Sequence, residues 1–400
     1  MSRAVVLLLV LLVLWAPWVS ATQRAPLAHD IARLEQTLAA QPNNIDIVAA
    51  LATALLAEVR ITARADRLAR AEVLIERLLQ QRSPRADALD AWRLLILHRF
   101  DAALAAARRA LATGSDDVLA TLSEADALIE LGRYREAERA VQTLLDHHYG
   151  SAALARASHL RRLSGDLPGA LEMAATAVRL SATASDRAWL TLDLAELHLC
   201  AGQAQEALTL AATALTQLPV PTLALQARAQ QALGENRAAL ALYLKAAASE
   251  PRAELQVEIL KLAQREGDHA LVARTTRLLE GMARLAAHDG GERRAFIEFY
   301  LLRDNLTAAT TLARAEWQQR PDIYSAAHLA WVLFPAGQRD EAARYAARAL
   351  AEHSIDPLLQ WRAGTVLAAV GDERGAQEVA AALKMQPWLA ADAPWLATQP

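Results

Sequence analysis

The chain has 400 residues, 54% hydrophobic and 22% charged, with a formal net charge of −3 at pH 7 and a single cysteine. The near-neutral balance excludes the basic footprint of a nucleic-acid binder, and one cysteine excludes any disulfide within the chain. Ala and Leu dominate, Gly and Pro fall at regular intervals, and no stretch alternates Val, Ile and Thr as strands do, so an all-helical chain is expected.

Residues 1–21 stand apart. Arg3 precedes an apolar run from Ala4 to Trp15, then come Pro17 and Val19-Ser20-Ala21, with small residues where a signal peptidase reads. This is read as a secretory signal peptide that is cleaved. The run is shorter than the roughly 20 residues of a membrane-spanning helix, which makes an uncleaved N-terminal anchor the lesser alternative. Removing Arg3 with the signal leaves 41 basic and 45 acidic residues, a net charge of −4. No cysteine follows the cleavage site, which argues against a lipid anchor. The expected address is periplasmic or secreted.

Residues 22–44 form a lead and a capping helix: Thr22 to Pro26 reads as unstructured, and Ala28 to Ala40 as one helix ending at Gln41-Pro42-Asn43-Asn44. Ile45 to Val59 and Arg67 to Gln80 make the next helix pair, whose turn lacks Gly. From there a turn slot recurs at His98, Gly132, Gly165, Gly202, Gly234, Gly267, Arg303, Gly337 and Gly371, at gaps of 32 to 37 residues. Five residues past each slot stands Ala, at every slot but one: Ala103, Ala137, Ala170, Ala207, Ala239, Val272, Ala308, Ala342 and Ala376. Seven residues before it, most are again small, as at Ala91, Ser158, Ala195 and Gly364. Two helices joined by a tight turn pack closely only where small side chains let their backbones approach. Gly at the turn supplies the left-handed backbone that ends the first helix. The best copies run from Gly202 to Pro219 and from Gly234 to Pro251, each stopped by Pro. The spacing stretches at Ser181 to Asp186 and again at Gly281 to Arg294, which includes His288-Asp289-Gly290-Gly291. The array spans residues 45–388, and 389–400 form a Pro-containing tail.

A period near 34, small residues in facing helices, Gly at the turn and Pro after the second helix resemble tetratricopeptide repeats. The C-terminal stretch from Pro321-Asp322-Ile323-Tyr324 to Met385-Gln386-Pro387 resembles the closing repeats of secreted bacterial members of that superfamily. The resemblance implies an all-α α-solenoid, a right-handed superhelix of antiparallel helix pairs whose first helices line a concave face. Groove-facing positions then include Trp92, His159, Arg162, Trp189, Glu196, Arg228, Lys261, Arg265, Tyr324, Trp331, Phe334 and Trp361. Trp, Tyr and Arg in a concavity are the residue types that anchor protein ligands. The tryptophans fit an inter-repeat core equally well, since a shift of one residue moves them from groove to core. The Lys and Asn clamp by which some family members grip acidic C-termini is not expected: the three Lys stand at 245, 261 and 384, and all four Asn fall in or near turns.

No catalytic pattern stands out. The ten histidines are scattered without an HExxH arrangement, G-x-S-x-G is absent, and the glycines of Leu163 to Ala170 lack the Lys-Ser or Lys-Thr of a phosphate loop. His198 and Cys200, two apart on a helix, point to different faces. Neither a metal nor a cofactor is expected. The function these residues suggest is a non-enzymatic scaffold or adaptor that holds a protein or peptide partner of unidentified sequence. The alternatives are an accessory subunit for a polysaccharide or small ligand in envelope assembly or export, and an enzyme whose site is assembled across repeats.

Overall fold

A computed structural model describes residues 24–62, 64–113, 116–286 and 293–391; the proposed signal peptide, His288 to Gly291 and most of the tail lie outside them. Among the described residues the chain forms 21 α-helices and one 3-10 helix, with no strand. Two compact units emerge among the described residues, one running to residue 157 and taking in 176–187, the other made of 158–175 and the residues from 188 on.

The first unit is built from α1 (Arg24–Ala40), α2 (Ile45–Thr62), α3 (Ala65–Gln80), α4 (Ala86–Ile96), α5 (Phe100–Leu111), α6 (Val118–Glu130) and α7 (Tyr134–His147), with parts of α8 (Ser151–Leu163) and α9 (Leu167–Arg179). The second continues through α10 (Ala184–Cys200), α11 (Ala204–Ala214), α12 (Pro219–Ala232), α13 (Asn236–Ser249), α14 (Ala253–Arg265) and α15 (His269–Ala286). It ends with α16 (Arg293–Leu302), α17 (Leu306–Gln319), α18 (Ile323–Leu333), α19 (Arg339–Ala349), α20 (Pro357–Ala369), α21 (Glu373–Met385) and the 3-10 helix Pro387–Ala391. Even-numbered helices open each pair and odd-numbered ones close it.

The turn chemistry follows directly from the backbone. All seven predicted turn glycines adopt positive φ, from 65° at Gly132 to 86° at Gly165 and Gly371. Each turn closes with the amide of the residue after the slot bonding back into the helix, as Arg133 N to Leu128 O at 2.8 Å and Gln338 N to Leu333 O at 3.0 Å. His98 makes the same turn without Gly, at φ 55°.

Three readings need correction. The slot placed at Arg303 belongs to Asp304, which carries φ 55°, and the amide of Asn305 closes that turn on Tyr300 O at 2.9 Å. The packed small residue of that pair is therefore Ala309, fully buried, rather than Ala308. In the last pair Ala376 is exposed and Gly375 takes its place against Gly364, so close that an added Cβ would lie 2.5 Å from Gly364 O. Finally, α1 already begins at Arg24, inside the lead read as unstructured; Pro26 fits because the first turn of a helix needs no amide donor there.

The cores match the spacing logic. In the first unit Val48, Leu51, Leu55, Leu74, Leu78, Leu89 and Trp92 interlock. In the second, Ala207, Ala211 and Ala214 pack under Leu199 and Leu225, and Ala239 and Ala246 under Leu223 and Ile259. Phe296 and Phe299 anchor the pair beyond, together with Leu260 and Leu279. Asp322 and Asp356 cap α18 and α20 by accepting from Ser325 N at 2.6 Å and Leu358 N at 3.0 Å.

Within the second unit, segments far apart in sequence also meet. Ile355 N donates to Arg162 O at 3.2 Å. A Cβ on Gly165 would come within 2.8 Å of His353 O, and one on Gly202 within 3.3 Å of Met385 Sδ. The helix pairs of this unit therefore come round until early and late turns touch. The 3-10 helix joins this seam, with Leu389 fully buried, so residues 389–391 are packed structure rather than the start of a tail.

Candidate partner-binding face

Counting back six residues from each left-handed turn residue gives one row along the first helices: Trp92, Asp126, His159, Glu196, Arg228, Lys261, Glu298, Trp331 and Thr365. First helices pack on one another within each unit, α4 on α6 and α18 on α20 among them, so side chains of this row and of the turn before it meet across pairs.

In the first unit the row brings Asp126 to Arg156, whose guanidinium grips the carboxylate with both arms at 2.8 and 2.6 Å. Both are buried, Arg156 with 1% of its side chain exposed. Burial pushes the Asp126 carboxyl up to about 6, and the attraction of Arg156 offsets only part of that cost. Trp92 lies in the core of this unit at 1% exposure, its indole N–H without a hydrogen-bond partner among the described residues.

In the second unit the row is more heavily charged. Arg228 grips Glu196 with two bonds of 2.6 and 2.7 Å, and the pair is asymmetric: Glu196 is 10% exposed and Arg228 43%. Burial pushes the Glu196 carboxyl up, but Arg228 and the more distant Arg162 outweigh it and hold it below its usual value. Arg162 itself, half-buried, donates to the Tyr324 hydroxyl at 3.0 Å, and its Nε has no hydrogen-bond partner among the described residues. Further along, Arg362 grips Glu298 at 2.7 and 2.8 Å, while Lys261 Nζ stands 3.5 Å and His328 Nε2 3.3 Å from the same carboxylate. Burial opposes the charge on Glu298, yet Arg362 and Lys261, with the hydrogen bond to His328, hold it well below the carboxylate range. His328 Nδ1 lies 2.9 Å from Tyr324 O, which ties this cluster to the Arg162 contact.

The aromatic positions behave differently. Trp331 and Trp361 are buried at 3% and 2% exposure and tilt against each other with centroids 4.8 Å apart, under the Arg362 guanidinium. Phe334 is buried beneath Arg339. Trp189 is half-buried against the α10–α12 core. His159 is buried, and Arg265 lies over the ring of Trp388, 5.8 Å from its centroid. So the structure unites Glu196 with Arg228, Arg162 with Tyr324, and Trp331 with Trp361, and it puts Lys261 in the Glu298 cluster. Trp92, Trp331, Trp361 and Phe334 pack inside the units and offer little open surface. Glu298, His328 and Arg362 were missed; the first needed the turn slot to be set at Asp304, whose Asp-Asn step is a fair left-handed turn signal.

Cys200 is buried near Glu196, and burial together with that carboxylate pushes its thiol above the usual range, away from a reactive thiolate. Among the described residues no group of three or more His, Cys, Asp or Glu side chains is placed to hold a metal ion, and no helix is long and apolar enough to cross a membrane.

Helix pairs of this length, left-handed turn residues in phase and small residues at each pair's contact define a tetratricopeptide-like all-α repeat protein. Solved structures similar to it include human IFIT1, solved as a dimer with PPP-AAAA, at 15% identity over 80% of this chain and 94% of that one, with a TM-score of 0.46. A thermophilic tetratricopeptide repeat protein from Thermus thermophilus is 22% identical over 46% of this chain and all of that one, at a TM-score of 0.40. A tetratricopeptide repeat protein from Parabacteroides merdae is 19% identical over 59% of this chain and 93% of that one, at 0.34. No family model and no curated protein sequence matches the chain.

Proposed function

We propose that the chain is a non-enzymatic scaffold or adaptor that holds a protein or peptide partner on the face of its first helices, in the bacterial envelope. The observation that carries this reading is the Glu196–Arg228 pair. Glu196 is nearly buried and fixes the guanidinium, yet Arg228 keeps 43% of its side chain exposed. An arginine held in place before a ligand arrives loses little entropy on binding and offers its remaining N–H donors in a set direction. Arg162 and the Tyr324 hydroxyl add donors on the same set of helices. Backbone carbonyls and carboxylates of a docked peptide are the matching acceptors. Stacking on sugar rings has less support, because Trp92, Trp331 and Trp361 have their faces covered.

The test is a paired measurement on Glu196→Gln with Arg228→Gln, which removes both charges and leaves neither ion unpaired. Retention of one specific partner from an envelope extract by the native chain, and its loss by this variant at an unchanged melting midpoint, would support the reading. Equal retention by both would overturn it. The envelope address rests on residues 1–21 and is tested separately: N-terminal sequencing of the chain from fractionated cells should begin at Thr22 in the periplasmic fraction or the medium.

A further inference from the structure

The 3-10 helix carries a four-residue motif, Pro387-Trp388-Leu389-Ala390, that the sequence repeats seven residues later as Pro394-Trp395-Leu396-Ala397. We propose that the seat now holding the first copy is a recognition site for this tetrapeptide, and that residues 394–397 compete with 387–390 for it.

The seat is well defined. It is made by the α10–α11 turn, α12 and the end of α14, all within the second unit. Leu389 is its fully buried anchor, Trp388 lies beneath the guanidinium of Arg265, and Gln386 Nε2 donates to Leu199 O. A Trp and a Leu side by side, one against a cation and one fully buried, are the contacts an extended aromatic-aliphatic peptide uses to bind.

The resident copy fills this seat imperfectly. The Trp388 indole N–H is buried with no hydrogen-bond partner among the described residues, and Trp395 would bring the same group to the seat. The Gln386 bond is long at 3.4 Å, and the Arg265 guanidinium stands 5.8 Å from the ring centroid, near the outer limit of about 6 Å for that attraction. An occupant with an identical second copy on the same tether has an equal rival for the seat. The second copy carries the same proline, the same two anchors and the same alanine, and it is tethered seven residues away. A loop of that size closes easily, and the tether gives the second copy an effective concentration on the order of millimolar.

The experiment uses the full chain and a synthetic peptide of residues 392–400, with binding followed by fluorescence anisotropy. Emptying the seat with Trp388→Ala and Leu389→Ala, and disabling the second copy with Trp395→Ala and Leu396→Ala, should let the peptide bind at least tenfold more tightly than it binds the native chain. Adding Arg265→Ala to that variant, or Trp395→Ala to the peptide, should abolish the gain. With Trp388→Ala and Leu389→Ala alone, binding should stay weak, because residues 394–397 take the vacated seat. Peptide binding as tight to this double variant as to the quadruple one would overturn the exchange, as would exclusion that disappears on dilution, which marks an occupant from a second copy of the chain. No binding to the quadruple variant would overturn the site itself. Should that variant melt early, a bismaleimide bridge between Gln264→Cys and Ala393→Cys in a Cys200→Ala background, which leaves Arg265 and Trp395 in place, replaces it: an intramolecular product supports exchange, and none refutes it.

Discussion

Both units bury an arginine against a carboxylate from another first helix, and the two carboxylates move in opposite directions. Asp126 meets chiefly Arg156 and is pushed up to about 6, because one guanidinium does not offset the loss of water. Glu298 meets Arg362, Lys261 and His328 and is held well down, although it too is buried. Burial alone therefore does not set the sign. The balance between burial and the attraction of the surrounding cations does.

The largest effect should come from Glu298→Ala. It strands Arg362, one of the most buried charges in the second unit, and should cost about 3–5 kcal/mol by urea denaturation. Adding Arg362→Leu should recover most of that loss, since a pair of apolar residues replaces the pair of ions. No recovery would mean that packing, not charge, dominates the cluster.

The next test concerns pH. A carboxyl whose folded value lies above its usual 3.8 binds its proton more tightly in the folded state. Its favourable contribution is present below pH 4 and is lost as pH rises through about 6. The native chain should thus gain stability over Asp126→Asn as pH falls from 7 to 4, by up to about 3 kcal/mol at roughly 1.4 kcal/mol per pKa unit. Glu298 works the other way: its contribution is present above its usual 4.5 and is lost as pH falls through its lower folded value. A Glu298→Gln chain should accordingly lose less stability than the native chain below pH 4.5. Identical slopes for the two variants would dissolve the contrast between the units.

A smaller effect separates contact from charge. Ala342 is fully buried where α18 and α19 touch, so Ala342→Leu should overpack that pair and lower stability by about 1–3 kcal/mol, read from the melting midpoint. Smallest of all is Gly337→Ala. Its φ of 79° disfavours a Cβ by about 1–2 kcal/mol, while nothing lies within 4 Å to add a clash. Gly165→Ala should cost more, because there the Cβ also runs into His353 O at 2.8 Å.

Much of the fold was legible because its determinants are local. A left-handed turn residue and a small residue at a fixed distance beyond it need no knowledge of distant parts, and Gly132, Gly202, Gly234 and Gly337 all took the expected conformation. The exceptions were local too: Asp304 makes the turn without Gly, and Gly375 replaces Ala376 where the last two helices come closest. The candidate face was harder to read. The position six residues before each turn could be counted, but whether Trp331 or Arg228 ends up covered depends on what the next helix pair brings. A one-residue slip at Asp304 also hid Glu298, the carboxylate that Arg362, Lys261 and His328 surround. The meeting of Arg162 with Tyr324, 162 residues on, leaves no trace in any repeat unit.

That meeting changes how the second unit comes apart. In an open array each pair touches only its neighbours, and the ends fray independently of the middle. Here Ile355 is bonded to Arg162 and Arg162 to Tyr324, so the early helices of the unit cannot loosen without releasing the late ones. Such a body should melt in one step and protect the amides of α8 and α20 to the same degree in hydrogen exchange, at the expense of slower folding, since contacts across nearly two hundred residues must form before the loop they close is rewarded.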